Sequence, residues 1–80
     1  MRDRSVLNEY LRLMQERFPD ARMRLVRPFR GADFVVRIEV PEEREREVLD
    51  AAADISYDLL RRHRVGIGAH VVRPRLAATA

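Results

Sequence analysis

The spacing of apolar residues changes three times along the chain, and these changes constrain the fold more than any other feature. Leu7, Tyr10, Leu11, Met14 and Phe18 recur at the helical period, with Arg12, Gln15, Glu16 and Arg17 off the stripe. This predicts a helix over residues 5–18, with Ser5 as N-cap and Pro19 and Asp20 as its stop. From Arg22 the period becomes two. Met23, Leu25 and Phe29 point one way, Arg22, Arg24 and Val26 the other, and Pro28 closes the pairing. Arg30, Gly31 and Ala32 supply a turn. Phe34, Val36, Ile38 and Val40 then alternate with Asp33, Val35, Arg37 and Glu39, the cleanest strand signal in the sequence.

The helical period returns after Pro41, read as a first helical residue, with Glu42 and Glu43 at the positive end of the helix dipole. Val48, Ala52, Ile55, Leu59 and His63 form its apolar face, flanked by Leu49 and Ser56. Arg61, Arg62 and Arg64 lie at the negative end, and Gly66 is the expected residue beyond the C-cap. A last strand covers residues 67–73, with Ile67, Ala69 and Val71 on one side and Gly68, His70 and Val72 on the other, until Pro74.

The order is α-β-β-α-β, an α+β fold. It is expected as a two-layer sandwich, a three-stranded sheet with two helices on one face. Residues 1–74 form a single domain and residues 75–80 a mobile tail. The crossover through the second helix makes the second and third strands parallel. The expected arrangement puts the first strand in the middle, antiparallel to both. The second strand is then an edge, guarded only by Arg37 and Glu39.

A chain of 80 residues buries one modest core, which excludes a catalytic cleft between two domains. No apolar run approaches the roughly 20 residues of a membrane span. The amphipathic N-terminus has no signal-peptide character, so a cytoplasmic location is the expectation. Cysteine is absent, which removes disulfides and thiol chemistry. All sixteen basic residues are Arg, a pattern that compositional bias explains as readily as a phosphate-binding surface. They are unevenly placed. Residues 1–31 carry eight Arg and four acids, residues 32–60 three and nine, and residues 61–80 five and none.

No catalytic, cofactor-binding or metal site is read from the sequence. Glu43, Glu47, Asp50, Asp54 and Asp58 fall within an arc of about 80° opposite the apolar face of the second helix, the pattern of a solvated face. His63 and His70 lack zinc spacing. Ser5 and Ser56 lack the glycines of a nucleophile elbow. Gly66 and Gly68 precede a strand, whereas a phosphate loop opens a helix.

The segments "RFPDARMRLV", "ADFVVRIEV", "EVLDAAADISYDLLRRHRVG" and "IGAHVV" resemble, over about 50 residues, the polymerase-β-type minimal nucleotidyltransferase domains. In that family the first strand leads to a Gly-Ser that holds nucleotide phosphates, the second carries an Asp-x-Asp for two magnesium ions, and a later strand adds a third carboxylate. Asp33 matches the first Asp, but Val35 stands at the second. Arg27, Pro28 and Arg30 replace the Gly-Ser, and the last strand has no acid. The resemblance thus implies a shortened relative lacking the catalytic motifs, because one carboxylate does not hold two metals. KH-type RNA-binding domains have a similar element order, but their Gly-x-x-Gly loop is missing.

By parity the open sheet face carries Arg22, Arg24, Val26, Val35, Arg37, Glu39, Gly68, His70 and Val72, with Phe29 and Phe34 turned toward the helices. Exposed valines on a bare sheet suit burial against another subunit. The functional expectation is a non-catalytic interaction module that self-associates or binds a protein partner through this face and the edge strand. The alternative is a basic domain that contacts nucleic-acid phosphates non-specifically through Arg22, Arg24, Arg37 and the Arg61, Arg62 and Arg64 group.

Overall fold

A computed structural model describes residues 4–29 and 31–74. The elements are α1 (Arg4–Arg17), β1 (Arg22–Val26), β2 (Phe34–Glu39), a 3-10 turn (Glu42–Arg44), α2 (Glu45–His63) and β3 (Ile67–Val72). They form the expected α+β domain, a mixed three-stranded sheet with two helices. Arg30 of the expected turn and the expected tail, residues 75–80, lie outside the described residues.

The core forms where the helical stripes meet the even-numbered face of β2. Leu7, Tyr10, Met14 and Phe18 from the α1 side, Val48, Ala52 and Leu59 from α2, and Phe34, Val36 and Ile38 from β2 make one cluster. Val6 and Ala51 join it, so each helix buries slightly more than its predicted stripe.

The strand order corrects the sequence reading. The order is β1-β2-β3, with β2 in the middle, antiparallel to β1 and parallel to β3. Phe34, Val35 and Val36 are all buried, so this segment loses solvent on both faces, as a central strand does. The Arg-bearing β1 is mostly exposed and sits at an edge. β2 therefore offers no free edge.

Local details differ as well. Ser5 lies inside α1 instead of capping it. Pro41 precedes a 3-10 turn, and α2 begins only at Glu45. His63 is exposed, with Nε2 3.9 Å from Glu9 Oε1, and does not extend the core. Arg64, not Gly66, takes the left-handed position that ends α2, at φ 60°, donating its backbone N–H to the Leu60 carbonyl. Gly66 serves another purpose. Its N–H donates to Asp33 Oδ2 at 2.8 Å, while its carbonyl accepts from the Asp33 and Phe34 amides. Asp33 thus ties the start of β2 to the entry of β3.

Candidate functional site

The open face divides into two unlike halves. At the end where β2 and β3 begin, the β1–β2 connection folds back over the sheet. Phe29 stands edge-on to His70, ring centroids 6.4 Å apart, so it covers the open face and does not point toward the helices as expected. Gly68 lies beneath this connection, where a Cβ would be in ordinary contact with Val35 Cγ2 at 3.5 Å and Ala32 Cβ at 3.9 Å. Val35, predicted as a contact residue, is only 2% exposed and is not available at the surface. Val26 and Val72 are half-buried and His70 is exposed. The bare valine face inferred from parity is therefore already covered in part by the chain's own loop.

The other half is polar. Arg22, Met23, Arg24, Arg37 and Glu39 line a cleft of about 350 Å³. Register brings them together: Arg22 lies opposite Glu39, and Arg24 opposite Arg37. Two guanidiniums directly across an antiparallel pair repel each other. Arg37 Nε is shielded from solvent and has no hydrogen-bond partner. Glu39 Oε2 stands 3.9 Å from it, an ion-pair separation too long for a hydrogen bond.

The two sheet edges contrast with each other. β1 carries Arg22 and Arg24, and Pro28 follows it, all devices that discourage strand addition. β3, IGAHVV, has neither a permanent charge nor a proline. Val40 donates to the Val72 carbonyl and Phe34 to that of Gly66, so even-numbered residues of β3 face β2. By ladder alternation the backbone groups of Ile67, Ala69 and Val71 face outward. The Ile67 carbonyl accepts a hydrogen bond from Ser56 of α2. No described strand pairs with the remaining outward groups.

Ser56 also orients α2. At 100° per residue, Leu49, Leu60 and Ala53 lie within about 60° of Ser56 and Tyr57 about 100° from it, all on the side away from the core. Because Ser56 reaches the outer edge of β3, this stripe flanks the same edge. Leu49 and Leu60 are each 45% exposed and Tyr57 64%. Leu49 is expected as a flank of the core face, yet the i, i+4, i+8 and i+11 spacing of Leu49, Ala53, Tyr57 and Leu60 marks a second apolar face.

The acidic row of α2 is solvated and partly paired. Glu47 meets Arg44, Asp50 meets Arg46, and Asp58 meets Arg62, which also bridges to Glu9. Glu42 pairs with Arg73. Glu43 and Asp54 complete the row as exposed residues. The Arg residues of the nucleic-acid reading are not brought together. Arg22, Arg24 and Arg37 lie on the open face near the end of β2, whereas Arg61, Arg62 and Arg64 lie in the helical layer, at the end of α2 that leads into β3.

Among the described residues, no group of three His, Asp or Glu side chains is placed to hold a metal ion, and no helix is long and apolar enough to cross a membrane. Compared with protein-family models, curated proteins and solved structures, the chain matches none.

Proposed function

We infer that this chain is a non-catalytic interaction module whose partner is a second copy of itself, docked along β3 and the outer stripe of α2. The observation that carries the reading is the coincidence of an uncharged, unpaired strand edge with an exposed apolar helix stripe on the same flank. An antiparallel copy centred on His70 exchanges the amides and carbonyls of Ala69 and Val71 with those of its mate. The result is a continuous six-stranded sheet.

Charge favours the same occupant. The segment entering α2 is rich in acid, with Glu42, Glu43, Glu47 and Asp50, and the helix ends in Arg61, Arg62 and Arg64. A two-fold axis through β3 sets the two α2 helices antiparallel, so each acidic end meets a basic end. Leu49, Ala53, Tyr57 and Leu60 then close over one another.

Sedimentation equilibrium between micromolar and hundred-micromolar concentrations tests this. The expected result is a reversible monomer–dimer equilibrium weakened by Leu60→Glu. A monomer throughout, or a dimer indifferent to Leu60→Glu, overturns the reading.

A further inference from the structure

The geometry points to a binding site for a phosphate group in the cleft formed by Arg22, Arg24, Arg37 and Glu39. The site lies on the open face, apart from the β3 flank, so it is independent of self-association.

Three features of the cleft support an anion. The first is electrostatic conflict: register holds Arg24 directly opposite Arg37, an arrangement that costs energy unless negative charge lies between the two side chains. The second is an unused donor, since Arg37 Nε is shielded from water without a hydrogen-bond partner. A guanidinium that offers Nε beside its terminal nitrogens presents the fork that phosphate oxygens accept. The third is charge count. Among the described residues, no carboxylate pairs with Arg22 or Arg24, and Glu39 is the one acid lining the cleft. Three guanidiniums against one carboxylate leave two positive charges. That matches a phosphate monoester, which carries between about 1.5 and 2 negative charges near neutral pH, better than it matches a single carboxylate.

Shape and surroundings favour a small phosphorylated molecule over a polynucleotide. About 350 Å³ is near the lower end of small-ligand pockets. A nucleic-acid strand needs a basic track that continues past one phosphate. Here the track stops, because Phe29, Ala32 and Val35 close the far half of the face, and Arg61, Arg62 and Arg64 lie in the other layer. Glu39 sets an upper limit on affinity, since it competes for Arg37 at 3.9 Å.

The test is a titration of the full chain followed through its arginine Nε–H and amide resonances, at constant ionic strength and about pH 7.5, above the second phosphate pKa of about 6. The probes are inorganic phosphate, glycerol phosphate, acetate and a ten-nucleotide single strand. Phosphate or glycerol phosphate is expected to shift Arg22, Arg24 and Arg37 saturably, at concentrations at least tenfold below any acetate effect. Tighter binding of glycerol phosphate identifies the phosphate as part of a larger molecule, and equal binding identifies the free ion; either supports the site. Arg24→Gln is expected to weaken binding at least fivefold and Glu39→Gln to tighten it. Because Arg24 is exposed, its substitution keeps the spectrum dispersed and the test valid if Arg37→Gln fails to fold. Equal effects of acetate and phosphate overturn the proposal, as does an unchanged response in Arg24→Gln. A single strand that binds a hundredfold tighter and shifts Arg61, Arg62 and Arg64 too replaces it with the nucleic-acid reading.

Discussion

The two edges of one small sheet are built to opposite rules. β1 alternates Arg22 and Arg24 with Met23 and Leu25, and the helical layer covers it incompletely, leaving Leu25 40% exposed. β3 has no permanent charge along its length and lies beside an apolar helix stripe. An edge that repels strand addition suits life in water, whereas an uncharged edge flanked by Leu49, Tyr57 and Leu60 is stable in isolation only at the risk of association. On the proposed reading, the difference puts the contact on β3 and leaves β1 to border the proposed anion cleft.

The sharpest way to break this contrast is to give β3 the guard that β1 already has. Ala69→Lys puts a charge on the exposed edge without touching the core, and is expected to weaken dimerisation at least a hundredfold, about 2.7 kcal/mol, in sedimentation. The mirror experiment, Arg24→Ala on β1, is expected to leave the dimer constant within threefold. Equal sensitivity at both edges would erase the contrast.

The core beneath both edges supplies a control. Tyr10 is fully buried and its hydroxyl has no hydrogen-bond partner, and burial pushes its pKa from 10.0 up to about 12. Between those two values the unfolded chain releases the proton and the folded chain retains it. The folded state then binds more protons, so stability falls as pH rises, by an amount on the order of 2 kcal/mol across the window. Tyr10→Phe is expected to remove this slope in chemical denaturation, and near neutral pH to be neutral or stabilising by about 1 kcal/mol. An unchanged alkaline slope in the variant would mean that another group drives it.

A smaller effect concerns how β3 is fastened. Asp33→Ala removes the carboxylate that accepts from Gly66 and leaves its amide without that partner, for an expected loss of about 1–2 kcal/mol. Hydrogen exchange should quicken at the start of β3 and hardly at all in β1. Uniform loss across the sheet would show that Asp33 stabilises the domain without selecting an edge. Smallest is Arg64→Gly, which relieves a left-handed non-glycine residue just before β3 and is expected to raise stability by about 0.5–1 kcal/mol.

Much of this architecture is legible in the sequence, because periodicity reports burial. The alternation of Phe34, Val36 and Ile38 and the stripe of Leu7, Tyr10 and Met14 locate the core to within a residue or two. Strand order is less legible. It is set by β2 pairing with both β1 and β3, which alternation within a strand does not report, and the returning loop buries Val35, which odd parity assigns to the open face. That loop also reversed Phe29, because side-chain parity fails once Pro28 ends the regular strand. Arg22, Arg24, Arg37 and Glu39 were legible as neighbours on one face, but the opposition of Arg24 and Arg37 is set by hairpin register, which a connection of this length does not fix. The likeness of Asp33 to a metal-binding aspartate acquires a structural context, since its carboxylate accepts from Gly66.

Hydrogen exchange of the β3 amides as a function of protein concentration tests the central claim most directly. Gly68 and His70 face β2 and should be protected at every concentration. Ala69 and Val71 face outward, and their exchange should slow at hundred-micromolar protein and accelerate on dilution, in step with dissociation measured by sedimentation. Fast exchange of Ala69 and Val71 at all concentrations, or concentration-dependent protection appearing in β1 instead, would contradict the assignment of the contact to β3.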